Sequence, residues 1–172
     1  MIVKDSRPSR SIIFLFLATV CFTLTSTHAL ATGYDNALKG IKSYDAVFEV
    51  TQANPKVANI VFWAVKNSYE ASEVKDLAKD PNIVVVFHGP AVKMLSTDRS
   101  HFNGADWAEV EKFQTTLRQM KQDGVKLEIC LYAAKGMGVG KDTIIPEIDH
   151  VGNGFVSVIG YQMQGYGVVR IP

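Results

Sequence analysis

From residue 44 onward the chain alternates short apolar runs with longer stretches in which apolar residues recur at helical spacing. Ala46-Val-Phe-Glu-Val50 alternates and is rich in β-formers, which predicts a first strand. Asn54-Pro55 can open a helix, with Pro55 near its first position. Val57 to Tyr69 is then apolar almost all round, as in a helix buried on more than one side or set in an interface. Asp80-Pro81-Asn82 breaks the chain. Ile83-Val-Val-Val-Phe87 is a continuous apolar run, the pattern of a central parallel strand covered on both faces. His88-Gly89-Pro90 ends it, a short helix is expected around Ala91 to Leu95, and residues 97–105 read as a polar loop. Asp106 and Glu109 have the spacing of a capping box. Val110, Phe113, Leu117 and Met120 follow at intervals of 3, 4 and 3, the clearest amphipathic helix in the sequence, and Gly124 supplies its stop. Val125 to Leu131 predicts another strand, ending at or near Cys130, and Ala133 to Gly140 a short helical piece that runs into glycines. In Phe155 to Gln164, Val156, Val158 and Ile159 favour a strand locally. Asn153 before it and Gly165 after it sit where helix caps belong, so a helix is expected, followed by a last strand from Tyr166 to Ile171.

Strands alternating with helical segments imply an α/β layered fold around a mostly parallel sheet. No internal repeat, low-complexity tract or linker interrupts the pattern, and one domain follows. In such sheets ligands gather beyond the carboxyl ends of the strands. His88 and Cys130 both fall at predicted strand ends of that kind.

Composition narrows the classes. With 47% hydrophobic and 20% charged residues in 172, the chain is neither a disordered tail nor a disulfide-dense miniprotein. Its 18 Lys and Arg stand against 17 Asp and Glu, so no global basic excess suits nucleic acid. The amino terminus changes the count. Lys4, Arg7 and Arg10 precede an apolar run of 13 residues, Ile12 to Leu24, followed by polar residues and Ala29-Leu-Ala31. This is the anatomy of a secretory signal with a cut after Ala31, and the run is short for a bilayer-spanning helix, which needs about 20 residues. The alternative is an uncleaved anchor. A lipoprotein does not fit, because Cys21 lies inside the apolar run after Val20. The expectation is a leader over residues 1–31, a domain over 32–172, a periplasmic or secreted location, and no membrane contact after cleavage. The remaining 141 residues carry 15 basic and 16 acidic groups, and Cys130 is left as their one cysteine.

A lone cysteine in an oxidising compartment is a buried inert thiol, half of an intermolecular bridge, or a reactive group. A strand end leading into a helix, with a histidine nearby, is a setting that favours thiolate chemistry. A structural cysteine packed as a small hydrophobe is the alternative. His88 is correspondingly a base, proton donor or sulfur-orienting group, or a ring that closes a strand by bonding to backbone. Gly136-Met-Gly-Val-Gly140-Lys141 lacks the frame of a phosphate loop and reads as a flexible turn beside the cysteine. Gly89, Lys135, Gly136 and Gly138 are candidates for the rim of such a site. His88, His101, His150 and Cys130 show no ligand spacing, so no metal or other cofactor is expected. Asp106 and Glu109 read as a cap, Phe62, Trp63 and Tyr132 as core or interface, and no G-x-S-x-G motif is present.

Three stretches carry a family resemblance. Val84-Val-Val-Phe-His-Gly-Pro-Ala-Val-Lys-Met-Leu95, Gly124-Val-Lys-Leu-Glu-Ile-Cys130, and Gln162-Met-Gln-Gly-Tyr166 with the final Arg170-Ile-Pro172, in that order and spacing, resemble the DsrE/DsrF-like family, in its exported single-cysteine branch. The resemblance extends from about Tyr44 to Pro172. It implies a three-layer α/β/α sandwich around a parallel sheet of about five strands, and assembly into homotrimers or hexamers. The resemblance also implies sulfur relay, in which a cysteine takes sulfane sulfur from a donor as a persulfide and hands it to a partner protein's thiol. Cys130 matches that cysteine, and His88 the histidine after the second strand. Two features depart from the relay members: the leader, and the lack of a second cysteine or acidic docking segment in the remaining chain. The rival expectation is a binding module without catalysis, oligomeric and with a buried structural cysteine.

Overall fold

The computed structural model describes residues 33–77 and 81–172. The predicted leader and its cleavage site lie outside them. Tyr34–Pro172 forms one compact unit. Its elements in chain order are β1 (Asp45–Val50), α1 (Pro55–Glu70), α2 (Ser72–Leu77), β2 (Asn82–Phe87), two 3-10 segments (Gly89–Leu95 and Arg99–His101), α3 (Gly104–Gln122), β3 (Lys126–Cys130), α4 (Leu131–Gly136), a 3-10 turn (Lys141–Thr143), β4 (Asp149–Val151), α5 (Gly154–Met163) and β5 (Gly167–Ile171).

The five strands form one sheet in the order β4-β3-β2-β1-β5, and every pairing is parallel. From β1 to β4 the chain advances steadily across the sheet. Right-handed crossovers in one direction place their helices on one face. The return from β4 to β5 runs back over the whole sheet, so α5 lies on the other face. The result is a three-layer α/β/α sandwich with unequal layers. On the α1/α3 side, Phe48, Val50, Val85, Phe87, Leu127 and Ile129 of the strands join Phe62, Phe113 and Leu117 in the main core. On the α5 side a small cluster of Val47, Val84, Val86 and Val158 is flanked by Tyr161 and Tyr166. Phe62 and Phe113 meet edge to face at 4.7 Å, and Phe62 stacks on Phe87 at 5.8 Å, pinning α1 and α3 to the middle strand.

Several elements differ from their sequence expectation. In α1 the buried residues, Pro55, Ala58, Phe62, Val65 and Tyr69, follow a single stripe, while Ile60 and Trp63 are 70% and 74% exposed. Its all-round apolar character is therefore one core face and one outward face. The cap of α3 is Asn103, whose Oδ1 accepts from Asp106 N at 2.9 Å while its Nδ2 donates to the Asp106 carboxylate at 2.8 Å. The reciprocal pair thus begins three residues earlier than the Asp106–Glu109 spacing suggests, because Gly104 and Ala105 already belong to the helix. The polar stretch 97–105 holds a 3-10 turn and the start of α3. Asp149-His-Val151 forms an edge strand too short and too polar to show a period.

Candidate functional site

β2 and β3 run side by side, and Phe87 and Ile129 are their last registered pair. His88 and Cys130 come next, at the carboxyl ends of neighbouring strands. Side chains alternate along a strand, so His88 follows Val84 and Val86, and Cys130 follows Glu128, on the α5 face. Gly154, the first residue of α5, lies against both: a Cβ placed on it would stand 3.1 Å from Cys130 Cβ, 3.2 Å from Val86 Cγ1 and 3.5 Å from His88 Cβ. Only a residue without a Cβ lets the helix approach the two strand ends this closely.

Cys130 is the cap residue of α4, and its Sγ accepts a hydrogen bond from Ala133 N at 3.3 Å. Cys130 is 4% exposed. His88 is 8% exposed, and its Nε2 donates to Glu49 Oε1 at 2.8 Å. A carboxylate can only accept, so this contact sets the proton on Nε2 and leaves Nδ1 as the ring's second working nitrogen. Glu49 is the register partner of Val86 on the adjoining strand β1, and its side chain leans one step along the sheet to reach the ring. Phe155 packs its ring against His88 at 5.1 Å, nearly edge to face.

These groups enclose a cavity of about 220 Å³ lined by His88, Gly89, Cys130, Tyr132, Ala133, Asn153 and Phe155. Gly89, with φ +55°, turns the chain at its edge. Asn153 caps α5 by accepting from Phe155 N at 3.0 Å, which fixes the wall opposite the thiol. Lys135, Gly136 and Gly138 are exposed beyond the first turn of α4 and are not among the lining residues. Helix α4 starts immediately after Cys130, which brings Tyr132 and Ala133 to the rim instead. Two larger cavities lie elsewhere. One of about 600 Å³ runs between α1 and α3, and one of about 490 Å³ sits at the amino ends of β2 and β3. Neither contains the thiol or the histidine.

One pleat below the thiol, Glu128 accepts a 2.7 Å hydrogen bond from the Tyr161 hydroxyl. Burial, and then this carboxylate, push the Tyr161 phenol above its ordinary value. The bond ties α5 to β3 directly beneath the cavity. His150 is registered with Ile129, which places it on the opposite face from Cys130, and His101 lies in the 3-10 turn Arg99–His101. Among the described residues no group of three or more His, Cys, Asp or Glu is placed to hold a metal ion. Among the same residues no helix is long and apolar enough to cross a membrane.

Sequence reasoning paired Cys130 with His88 but missed Glu49 and Gly154. The sign of the first is an acid in the alternating run Ala46-Val-Phe-Glu-Val50, on the same strand face as the fully buried Val47. That of the second is a glycine directly after a cap asparagine, where any side chain that suits a helix would serve equally well locally.

The model of the DsrE/DsrF-like family matches residues 56–171, from α1 to the end of β5. The chain belongs to the DsrE/DsrF-like family. Membership covers both His88 and Cys130 and agrees with the all-parallel five-stranded sandwich. The fold is also similar to the solved structure of a protein of unknown function from Methanobacterium thermoautotrophicum, with a TM-score of 0.58 at 19% identity over 74% of this chain and 99% of that one. A second solved protein of unknown function, from Bacteroides thetaiotaomicron, aligns with a TM-score of 0.49 at 21% identity over 74% of this chain and 94% of that one. No curated protein matches the sequence.

Proposed function

We propose that this protein is an exported sulfur carrier of the DsrE/DsrF-like family, in which Cys130 holds sulfane sulfur as a persulfide. The observation that carries the reading is the cavity itself. The one cysteine of the described residues opens into it beside a histidine that a carboxylate orients. In the loading step the Cys130 thiolate attacks the outer sulfur of a persulfide R–S–SH. The donor S–S bond breaks, a bond to Sγ forms, and RS⁻ leaves with the electron pair. In unloading, an acceptor thiolate attacks the outer sulfur of Cys130–S–SH and the Cys130 thiolate is released. A cavity of about 220 Å³ takes a few sulfur atoms or a small thiol, so an acceptor protein would present its cysteine on a protruding tip. Export rests on the leader pattern of residues 1–31. Assembly as a homotrimer or hexamer is supported by the outward apolar faces of α1 (Ile60, Trp63) and α5 (Val156, Ile159, Met163).

The near-complete burial of Cys130 favours one rival, a binding module with a structural thiol. Exposure to polysulfide followed by intact-mass measurement separates the two. A carrier gains about 32 Da, one sulfur atom, reversibly by reductant. A structural thiol gains nothing until the protein is unfolded.

A further inference from the structure

Each of the two site residues has its own partner. Sγ accepts from Ala133 N, and His88 Nε2 donates to Glu49 Oε1. The histidine's second nitrogen is therefore left for whatever occupies the cavity rather than committed to the carboxylate. The Glu49–His88 pair is nearly enclosed, with side chains 17% and 10% exposed, and the Phe155 ring restricts the imidazole from one side. An enclosed carboxylate in this position fixes the ring's tautomer and orientation and leaves a fixed negative charge behind the ring.

We propose that Glu49 is a positioning residue for sulfur transfer, holding His88 as the acid that protonates the thiolate leaving the sulfur donor. This rests on the carrier reading above. As the Cys130 thiolate takes the outer sulfur of R–S–SH, the electron pair of the broken S–S bond collects on RS⁻. The imidazolium gives its Nδ1 proton to that sulfur, so RSH departs and neutral His88 recovers a proton from solvent. Glu49 keeps its charge throughout and touches neither donor nor thiol.

The test uses the leaving group. Hydroxyethyl disulfide expels a strongly basic alkyl thiolate, which benefits from protonation. Methyl methanethiosulfonate expels a weakly basic sulfinate, which does not. Rates of Cys130 modification by both reagents are read by intact mass for wild type, Glu49→Gln, His88→Asn and the double variant. Gln can still accept from Nε2 through its amide oxygen, so the substitution removes charge and keeps shape. The disulfide rate of Glu49→Gln is expected to fall roughly tenfold or more relative to its thiosulfonate rate, within the range of general acid catalysis. The double variant should show the same ratio as His88→Asn alone, because Glu49 acts through the histidine. Should Glu49→Gln fail to fold, Glu49→Asp keeps the carboxylate at a longer reach and should lower the ratio by less. Equal slowing of both reagents, an unchanged ratio, or additive effects in the double variant overturn the proposal. Wild type that reacts with both reagents yet gains no sulfur from a persulfide overturns the carrier reading instead and leaves this comparison intact.

Discussion

At the scale of single residues the site depends on two close fits, one polar and one steric. The polar fit is the 2.8 Å contact between Glu49 and His88, which gives a mobile ring one orientation. The steric fit is Gly154, where α5 meets the strand ends. Gly154→Ala would place its methyl group 3.1 Å from Cys130 Cβ and 3.2 Å from Val86 Cγ1, so either the helix or the thiol must shift. The cost expected for such overpacking is about 1–3 kcal/mol, measured as a lower urea midpoint. Alkylation of Cys130 by iodoacetamide in the folded state should change with it, because the cavity wall moves. A variant with wild-type stability and labelling rate would show that the approach of α5 is looser than its geometry indicates. Cys130 and His88 were legible as residues because each stands at the end of a predicted strand, where the parallel sheet must stop. Glu49 was not, since its partner is 39 residues away and the contact is made across two strands.

At the scale of elements, the sheet holds its helices by different means on its two faces. On one, aromatic packing fixes α1 and α3, and Asp123 at the end of α3 adds a polar clamp to Lys66 and Tyr69 of α1. Burial acts to raise the Asp123 carboxyl, but hydrogen bonds from Gln119, Lys66 and Tyr69 outweigh it and hold the group below its usual value. A depressed folded-state value means stability that is present above the unfolded aspartate value of about 3.9 and lost as pH falls through the folded one. Asp123→Asn should therefore be less stable than wild type at neutral pH, with the gap narrowing as the solution is acidified below about pH 4. Denaturant midpoints at several pH values check this, and a gap that widens in acid contradicts it. On the other face α5 is held by a few valines and by Tyr161 on Glu128. The sequence pattern showed α1, α3 and α5 because their caps and apolar spacing are local. It did not show β4, whose three residues gain their strand geometry only by pairing with Glu128 to Cys130. It also placed the Lys135–Gly138 turn at the rim, since nothing local tells that α4 begins one residue after the thiol.

At the scale of the molecule, the uneven layers put the candidate site and one of the two outward apolar faces, that of α5, on the same side, while the other, on α1, lies across the sheet. Phe155 both lines the cavity and stands at the head of an exposed stripe that continues through Ile159 and Met163. A surface of this kind is expected to be covered by other copies of the chain. Sedimentation at micromolar concentration should give three or six times the mass of one chain, and Ile159→Glu should shift it towards the monomer. Wild type that sediments as a monomer would contradict the assembly. The parallel order of the sheet and its carboxyl-end site followed from the alternation of strands and helices together with the handedness of the crossovers. The thinness of the α5 layer could not be foreseen, because it depends on the single return from β4 to β5 across the full width of the sheet.

The central claim is that Cys130 carries sulfur, and it is tested most directly by the intact masses of wild type and Cys130→Ser after exposure to polysulfide. Wild type should gain about 32 Da and lose it again when a small acceptor thiol is added, with that thiol recovered as its persulfide, while Cys130→Ser stays unchanged. An unmodified wild type, or an equal gain in Cys130→Ser, would contradict the account.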